Sequence, residues 1–290
     1  SNMTRSCINV FAAVAIVLSL VAVAQAIEKP FTIAFIPQEN SEKLIGDIRI
    51  ITEFLGRELS RKVKGFVTHD HAAAIEALAA SKADISFMGA LPFVMARARI
   101  GAEVLLSEVY RGKPYYTGAI FVRSDSPIQD LAQLRGRDIA FADPISESGY
   151  LYPLELFSVA RLVPRGTDPR RFFHRLYFAG GYQQAIQAVA EGFVDAAGVS
   201  VYALMLLPPD QQSKVRSIAI TPPIPSHAVI ARKGIDPKLR HAFIEAMLKL
   251  NRPEFQHLLK HVYGPDGYVR AQSAEYDRVA ELARAYGLIK

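Results

Sequence analysis

The residues best placed to do chemistry lie between Asp138 and Pro153, in the run Asp-Ile-Ala-Phe-Ala-Asp-Pro-Ile-Ser-Glu-Ser-Gly-Tyr-Leu-Tyr-Pro. Ser146 and Ser148 supply hydroxyls and, with Gly149, backbone amides at the point where the pattern predicts that a helix begins. A helix N-terminus leaves N–H groups without acceptors and carries partial positive charge, so this mouth suits an anion or a hydroxylated ligand. Glu147 stands among those donors. If its carboxylate lies about 5 Å from a bound anionic charge, repulsion at an effective dielectric near 20 is roughly 3 kcal/mol, about a hundredfold in affinity. The same carboxylate can satisfy the helix amides itself, or accept a hydrogen bond from a ligand hydroxyl or amine.

Two other constellations carry less. His69-Asp70-His71 has metal-ligand residue types, but a single intervening residue puts the imidazoles on different helical faces, and Asp70 is better used as a helix cap. No Gly-x-Ser-x-Gly elbow occurs, so a serine hydrolase would rest on Ser148 alone. The expectation is no enzyme, no metal and no cofactor.

The elements that must position this turn alternate strand with helix. Phe31 to Ile36 reads as a strand ended by Pro37-Gln-Glu-Asn40, and Leu44, Ile48, Ile51, Leu55 and Leu59 recur at helical spacing after Ser41. Strand 62–67, a helix through 72–78 capped by Asp70, strand 84–88, helix 91–99 and strand 103–106 follow. Residues 115–122 read as one strand, after which the rhythm repeats: helix 128–134, strand 139–142, helix 149–162, strand 175–178, helix 183–190, strand 194–199. Strand 215–221, an extended Pro222-Pro-Ile-Pro225 and strand 227–231 bring the chain back, and the remainder reads as helices 237–251, 253–263 and 274–286. This pattern predicts an α/β fold of two lobes with parallel sheets, residues 27–117 plus 222–290 forming one and 118–221 the other. Two extended crossings then leave a ligand cleft between the lobes.

Composition narrows the setting. Met3-Thr-Arg5, the apolar run Ile8 to Ala24 and the small residues of Ala24-Gln25-Ala26 make residues 1–26 a Ser1-Asn2 tag remnant followed by a signal peptide. The lone cysteine, Cys7, falls within that leader, so the mature chain has no disulfide, thiol nucleophile or thiolate metal site. The net charge of +6 becomes +5 once Arg5 leaves with the leader, and its basic residues are scattered, which argues against nucleic acid as a partner.

Tyr116-Thr-Gly-Ala-Ile-Phe-Val-Arg-Ser-Asp-Ser-Pro127, Leu131-Ala-Gln-Leu-Arg-Gly136, Phe141-Ala-Asp-Pro-Ile-Ser-Glu-Ser-Gly-Tyr150 and the stretch Gly180 to Asp195 resemble the phosphonate-type periplasmic binding proteins of ABC transporters. The resemblance spans the mature chain and implies a type II two-lobed binding-protein fold that captures a solute without chemistry. Its partner would be a membrane transporter component, and the protein would act as a periplasmic monomer. Relatives usually carry Ser-Thr-Ser-Gly at the turn, whereas Glu147 replaces the threonine here. Tyr182-Gln183 stands where the family commonly has a His-Asp or His-Glu pair. The family's pocket tyrosines align with Ile51, which lies on an apolar helical stripe, and with Met88; acidic residues that hold an amino group align near Tyr202 and His227.

These departures predict a cleft lined by Met88, Tyr115, Tyr116, Tyr150, Tyr182, Tyr202 and His227 beside Ser146, Glu147, Ser148 and Gly149. Such a lining favours a larger, mostly apolar ligand with a small polar head, lipid or sterol-like. The competing reading keeps a phosphonate, phosphite or phosphate and turns Glu147 away from it. A serine hydrolase and a periplasmic sensor module stand below both. The leader yields its own test: produced with residues 3–26 in a Gram-negative host, the chain is expected in the periplasmic fraction with Ile27 as its first residue by intact mass, and recovery with Met3 retained would contradict the assignment.

Overall fold

The computed structural model describes residues 28–36 and 41–290, and both the leader and the turn expected at Pro37 to Asn40 lie outside them. In chain order the first half contains β1 (Phe31–Phe35), α1 (Ser41–Leu59), β2 (Val63–Val67), α2 (His71–Ala79), β3 (Ile85–Met88), α3 (Ala90–Ile100), β4 (Glu103–Val109), β5 (Tyr115–Tyr116), β6 (Gly118–Arg123) and β7 (Asp138–Phe141). The second half contains α4 (Tyr152–Val159), β8 (Arg175–Phe178), α5 (Tyr182–Ala190), β9 (Ala196–Ser200), β10 (Val215–Ile220), β11 (Ile224–Pro225), β12 (Ala228–Ala231), α6 (Pro237–Lys249), β13 (Gly267–Arg270) and α7 (Asp277–Ala285). Asp70 caps α2 as its position predicts, its Oδ1 accepting from the Ala73 amide at 2.8 Å.

Two sheets result, one of six strands in the order β13-β4-β12-β3-β1-β2 and one of five in the order β10-β6-β9-β7-β8. They are mixed, which corrects the expectation of parallel sheets. β1, β2 and β3 run parallel as βαβ units, but β12 arrives from the second crossing and pairs antiparallel with both β3 and β4. β6 likewise lies antiparallel between β9 and β10. Alternation of strand and helix fixes the hand of the local units; it does not fix the direction in which a returning strand re-enters a sheet.

Helices cover both faces of the larger sheet. On one face α2, α3 and α7 bury Leu78, Leu91, Phe93 and Val279 with Ile230, and on the other α1 and α6 bury Ile51, Leu55, Phe243 and Met247 against Phe31, Ile33 and Phe87. The smaller sheet is covered by α5, through Ala185, Ile186 and Val189, and on its other face by Leu154, Phe157, Phe172 and Phe173. Full burial of a Leu or Phe side chain contributes about 1.5–3 kcal/mol each, so these faces hold the frames on which the site is mounted.

Between the sheets the chain crosses twice, and the crossings pair: Tyr116 opposes Ile224 and Tyr115 opposes Pro225 in a short antiparallel ladder. The single strand expected over 115–122 is therefore broken at Thr117. At that break Thr221 clamps the two passages together, its Oγ1 accepting from the Gly118 amide at 2.8 Å and its own amide donating to the Gly118 carbonyl at 2.9 Å.

Near the C-terminus the structure departs from the sequence reading again. The helix expected at 253–263 shortens to a single 3₁₀ segment, Gln256–His261, and β13 adds an unpredicted edge strand against β4.

Gly198, in the middle strand of the smaller sheet, lets β9 approach the start of α4, because a Cβ there would lie 2.6 Å from Phe141 Cε1 and 2.9 Å from Pro153 Cβ. Gly198→Val is expected to destabilise the fold by about 1–3 kcal/mol through overpacking, read as a lower denaturation midpoint in urea. An unchanged midpoint would contradict the packing.

Candidate functional site

The turn after β7 is built from its own side chains. Ser146 Oγ accepts from the Gly149 amide at 3.0 Å, and the Leu151 amide reaches back to the Ser146 carbonyl at 3.0 Å, an i→i+5 pattern that widens the first turn before α4. The Gly149 carbonyl accepts from the Ala142 amide at 2.8 Å and ties the turn to the end of β7. Gly149 is required by space, since a Cβ would meet Ala142 Cβ at 2.6 Å.

Glu147 does not cap its own helix and does not face solvent. It is buried, and its carboxylate accepts from the Leu91 amide in the first turn of α3, on the opposite side of the cleft. The N-cap of α3 is Gly89, which has no side chain to offer, and a Cβ there would lie 2.9 Å from Glu147 Oε1. Glu147 thus supplies the cap that α3 lacks in its own sequence, with its charge at the positive end of the helix.

Beside it lies a cluster of hydroxyls. Tyr182, at the start of α5, holds its hydroxyl 2.7 Å from Ser148 Oγ and 3.3 Å from Ser146 Oγ. Tyr182 also lines a cavity of about 280 Å³, together with Tyr110, Tyr116, Ser200, Tyr202, Ser226 and His227. Tyr116 and Tyr202 stack with centroids 6.4 Å apart, and the Arg111 guanidinium lies 5.4 Å from the Tyr202 ring centre. The Ser226 hydroxyl is 1 % exposed as a residue and has no hydrogen-bond partner.

Burial raises the Tyr116 hydroxyl pKa well above its ordinary value, and the Glu147 charge raises it further. The Tyr182 hydroxyl is also raised by burial, against the opposing pull of its bonds to Ser146 and Ser148. Both phenols therefore stay protonated as donors at neutral pH. Behind them Glu108 is buried and accepts from the Tyr110 hydroxyl at 3.0 Å; burial pushes its carboxyl pKa up, opposed by nearby His227.

A family model described as the ABC transporter phosphonate periplasmic substrate-binding protein matches residues 33–276. The chain belongs to that family. Among its relatives, the phosphate-import protein PhnD of Mycolicibacterium smegmatis is 29 % identical over 178 residues, covering 60 % of this chain and 56 % of the relative. The phosphonates-binding periplasmic protein of Escherichia coli is 28 % identical over 220 residues, covering 73 % of this chain and 63 % of the relative. The chain thus spans less than two thirds of the length of either. XAC2383 from Xanthomonas citri, solved with ATP, superposes with a TM-score of 0.74 at 20 % identity over 90 % of this chain and 98 % of that one. PhnD1 from Prochlorococcus marinus, solved with methylphosphonate, gives a TM-score of 0.69 at 20 % identity over 90 % of this chain and 99 % of that one. These likenesses establish the two-lobed periplasmic binding-protein fold.

Within this family member the expected site residues separate into groups. Tyr116, Tyr182, Tyr202 and His227 line one cavity. Ser146 and Ser148 stand behind Tyr182 without lining it, and Gly149 is a packing position. Three expectations are corrected. Met88 is 2 % exposed within the core of the larger sheet, because the last residue of a central strand is covered by helices on its face. Tyr115 is turned by the strand's alternation to a separate crevice with Pro114, Tyr152 and Tyr276. Tyr150 packs edge-on against Phe141 and Phe178 on the smaller sheet. The reading missed Tyr110, Ser200 and Ser226; the first two lie at the ends of β4 and β9, where α/β sheets present ligand groups, and that position was the available signal.

His71, from the His-Asp-His run, has its Nδ1 buried without a partner, and burial lowers its pKa, with the nearby His227 adding to the effect. No cluster of three or more metal-ligating side chains occurs among the described residues.

The cap on α3 makes a prediction about stability. Glu147→Ala strands the buried Leu91 amide and is expected to lower unfolding stability by about 1–3 kcal/mol, whereas Glu147→Gln keeps an acceptor and loses less. Equal stability of wild type and the alanine variant in denaturant titration would contradict the cap.

Proposed function

We propose that the chain is the solute-binding component of an ABC transporter, which captures a small phosphonate, phosphite or phosphate in its cleft and delivers it to a membrane permease in the periplasm. The observation that carries this reading is one small cavity in which the residues Tyr116, Tyr182, Ser226 and His227 converge, with the buried Ser226 hydroxyl at its edge lacking a partner. A buried hydroxyl without a partner is destabilising unless something satisfies it, and a ring of hydroxyl and imidazole donors matches the oxygens of an oxyanion. Family membership and the named ligands of the relatives support the same class.

Tyr182 links this cavity to the turn after β7. When its O–H donates to a ligand oxygen, its own oxygen accepts from Ser148, so the serine hydroxyls orient the phenol without touching the ligand themselves. Binding residues come from both sheets and both crossings, so an oxyanion bridging them favours the closed arrangement by its contacts to each side.

The lipid or sterol-like ligand expected from the sequence has no support. Two of the departures that suggested it, Glu147 and Met88, face α3 and the core, and a cavity of about 280 Å³ lies at the small end of ligand pockets. A hydrolase is disfavoured because Ser148 Oγ is bonded to a phenol held protonated, which is no general base.

Calorimetric titration with methylphosphonate, phosphite and phosphate, alongside a fatty acid and a sterol, tests the proposal. At least one oxyanion is expected to bind, and Tyr182→Phe to weaken it by roughly ten- to a hundredfold. Binding of the apolar ligands alone would overturn it.

A further inference from the structure

Three observations bear on what kind of oxyanion the cleft accepts. The first is that the residues lining the cavity include no lysine or arginine; His227 is the sole lining side chain able to carry positive charge, and Arg111 lies on the ring of Tyr202 without lining the space. The second is that two carboxyl groups stand near it, Glu108 behind Tyr110 with its pKa pushed up by burial, and Glu147 within electrostatic reach of Tyr116 and Tyr182. The third is that the N-terminus of α3, across the cleft from the turn after β7, is already capped by Glu147.

A doubly charged ligand in this setting meets hydroxyl dipoles and an unneutralised carboxylate, whereas a singly charged one needs only the dipoles. We propose that Glu147 is a charge-selecting residue, a tethered carboxylate that occupies the anion seat of α3 and thereby makes the cleft favour singly charged phosphorus oxyanions over doubly charged ones. This rests on the oxyanion reading above. Within that reading Glu147 is a specificity determinant that acts through its field and through the helix end it covers, without contacting the ligand.

Gly89 is part of the device. Any side chain at that position would push into the carboxylate, so the glycine keeps room for Glu147 at the helix end. The isosteric amide separates charge from shape: Glu147→Gln retains an acceptor for the Leu91 amide and removes the negative charge.

The experiment compares methylphosphonate with its monomethyl ester by calorimetry in alkaline buffer, where the first is mostly doubly charged and the second singly charged. The ratio of the two dissociation constants, taken in wild type and in Glu147→Gln, cancels the steric effect of the ester methyl. The ratio is expected to shift by about tenfold or more towards methylphosphonate in the variant. Glu147→Thr, neutral and shorter, is expected to shift it in the same direction and decides the matter if the glutamine variant does not fold. A ratio that stays within about twofold of wild type in a folded variant overturns the selection by charge while leaving the oxyanion reading intact. Failure of wild type and both variants to bind either compound, with circular dichroism showing folded protein, overturns the oxyanion reading and this inference together.

Discussion

Burying a carboxylate removes it from water, and Glu147, only 7 % exposed, must recover that hydration from the protein. It does so at the amino end of α3, where the Leu91 amide and the helix dipole meet it. Much of the local arrangement follows from that contact. The wide turn after β7 projects Glu147 towards the opposite lobe, Gly89 leaves space for it, and the two serines that flank it are left facing Tyr182. The bond joins groups mounted on different sheets, so it acts both as a cap and as a contact across the cleft.

The cavity beside this contact is lined mainly by phenol and serine hydroxyls, and that choice has an electrostatic logic. Phenols whose pKa is raised by burial remain donors at neutral pH, and serine hydroxyls adapt by rotation. On the proposed reading such a wall holds an oxyanion through dipoles, and Glu147 sets how much charge it accepts. The clamp between Thr221 and Gly118 holds the crossings on which Tyr116 and Ser226 sit, so the donors from the crossings have a fixed spacing.

Much of this was legible in the residues. The alternation of strand and helix, the cap at Asp70 and the turn at Ser146 to Gly149 carry local signals that do not depend on tertiary context. The family was legible because the turn's residue types recur in it. The direction of β12 and the strand β13 were not, because a short apolar run states neither its partner nor its orientation. The destination of Glu147 was equally hidden: its partner, the Leu91 amide, is a backbone group 56 positions away and has no side-chain signature. Reading that carboxylate as facing the ligand contributed, with Met88 and the aromatic positions, to the expectation of an apolar occupant, and its burial against α3 removes one of those reasons.

The account turns on where an oxyanion sits relative to Tyr182 and Glu147, and a crystal structure of the methylphosphonate complex measures this directly. The predicted result places ligand oxygens within hydrogen-bond distance of the Tyr116, Tyr182 and Ser226 hydroxyls, with Glu147 still bonded to the Leu91 amide. A ligand bound outside this cavity, or a Glu147 carboxylate turned into it, would contradict the account.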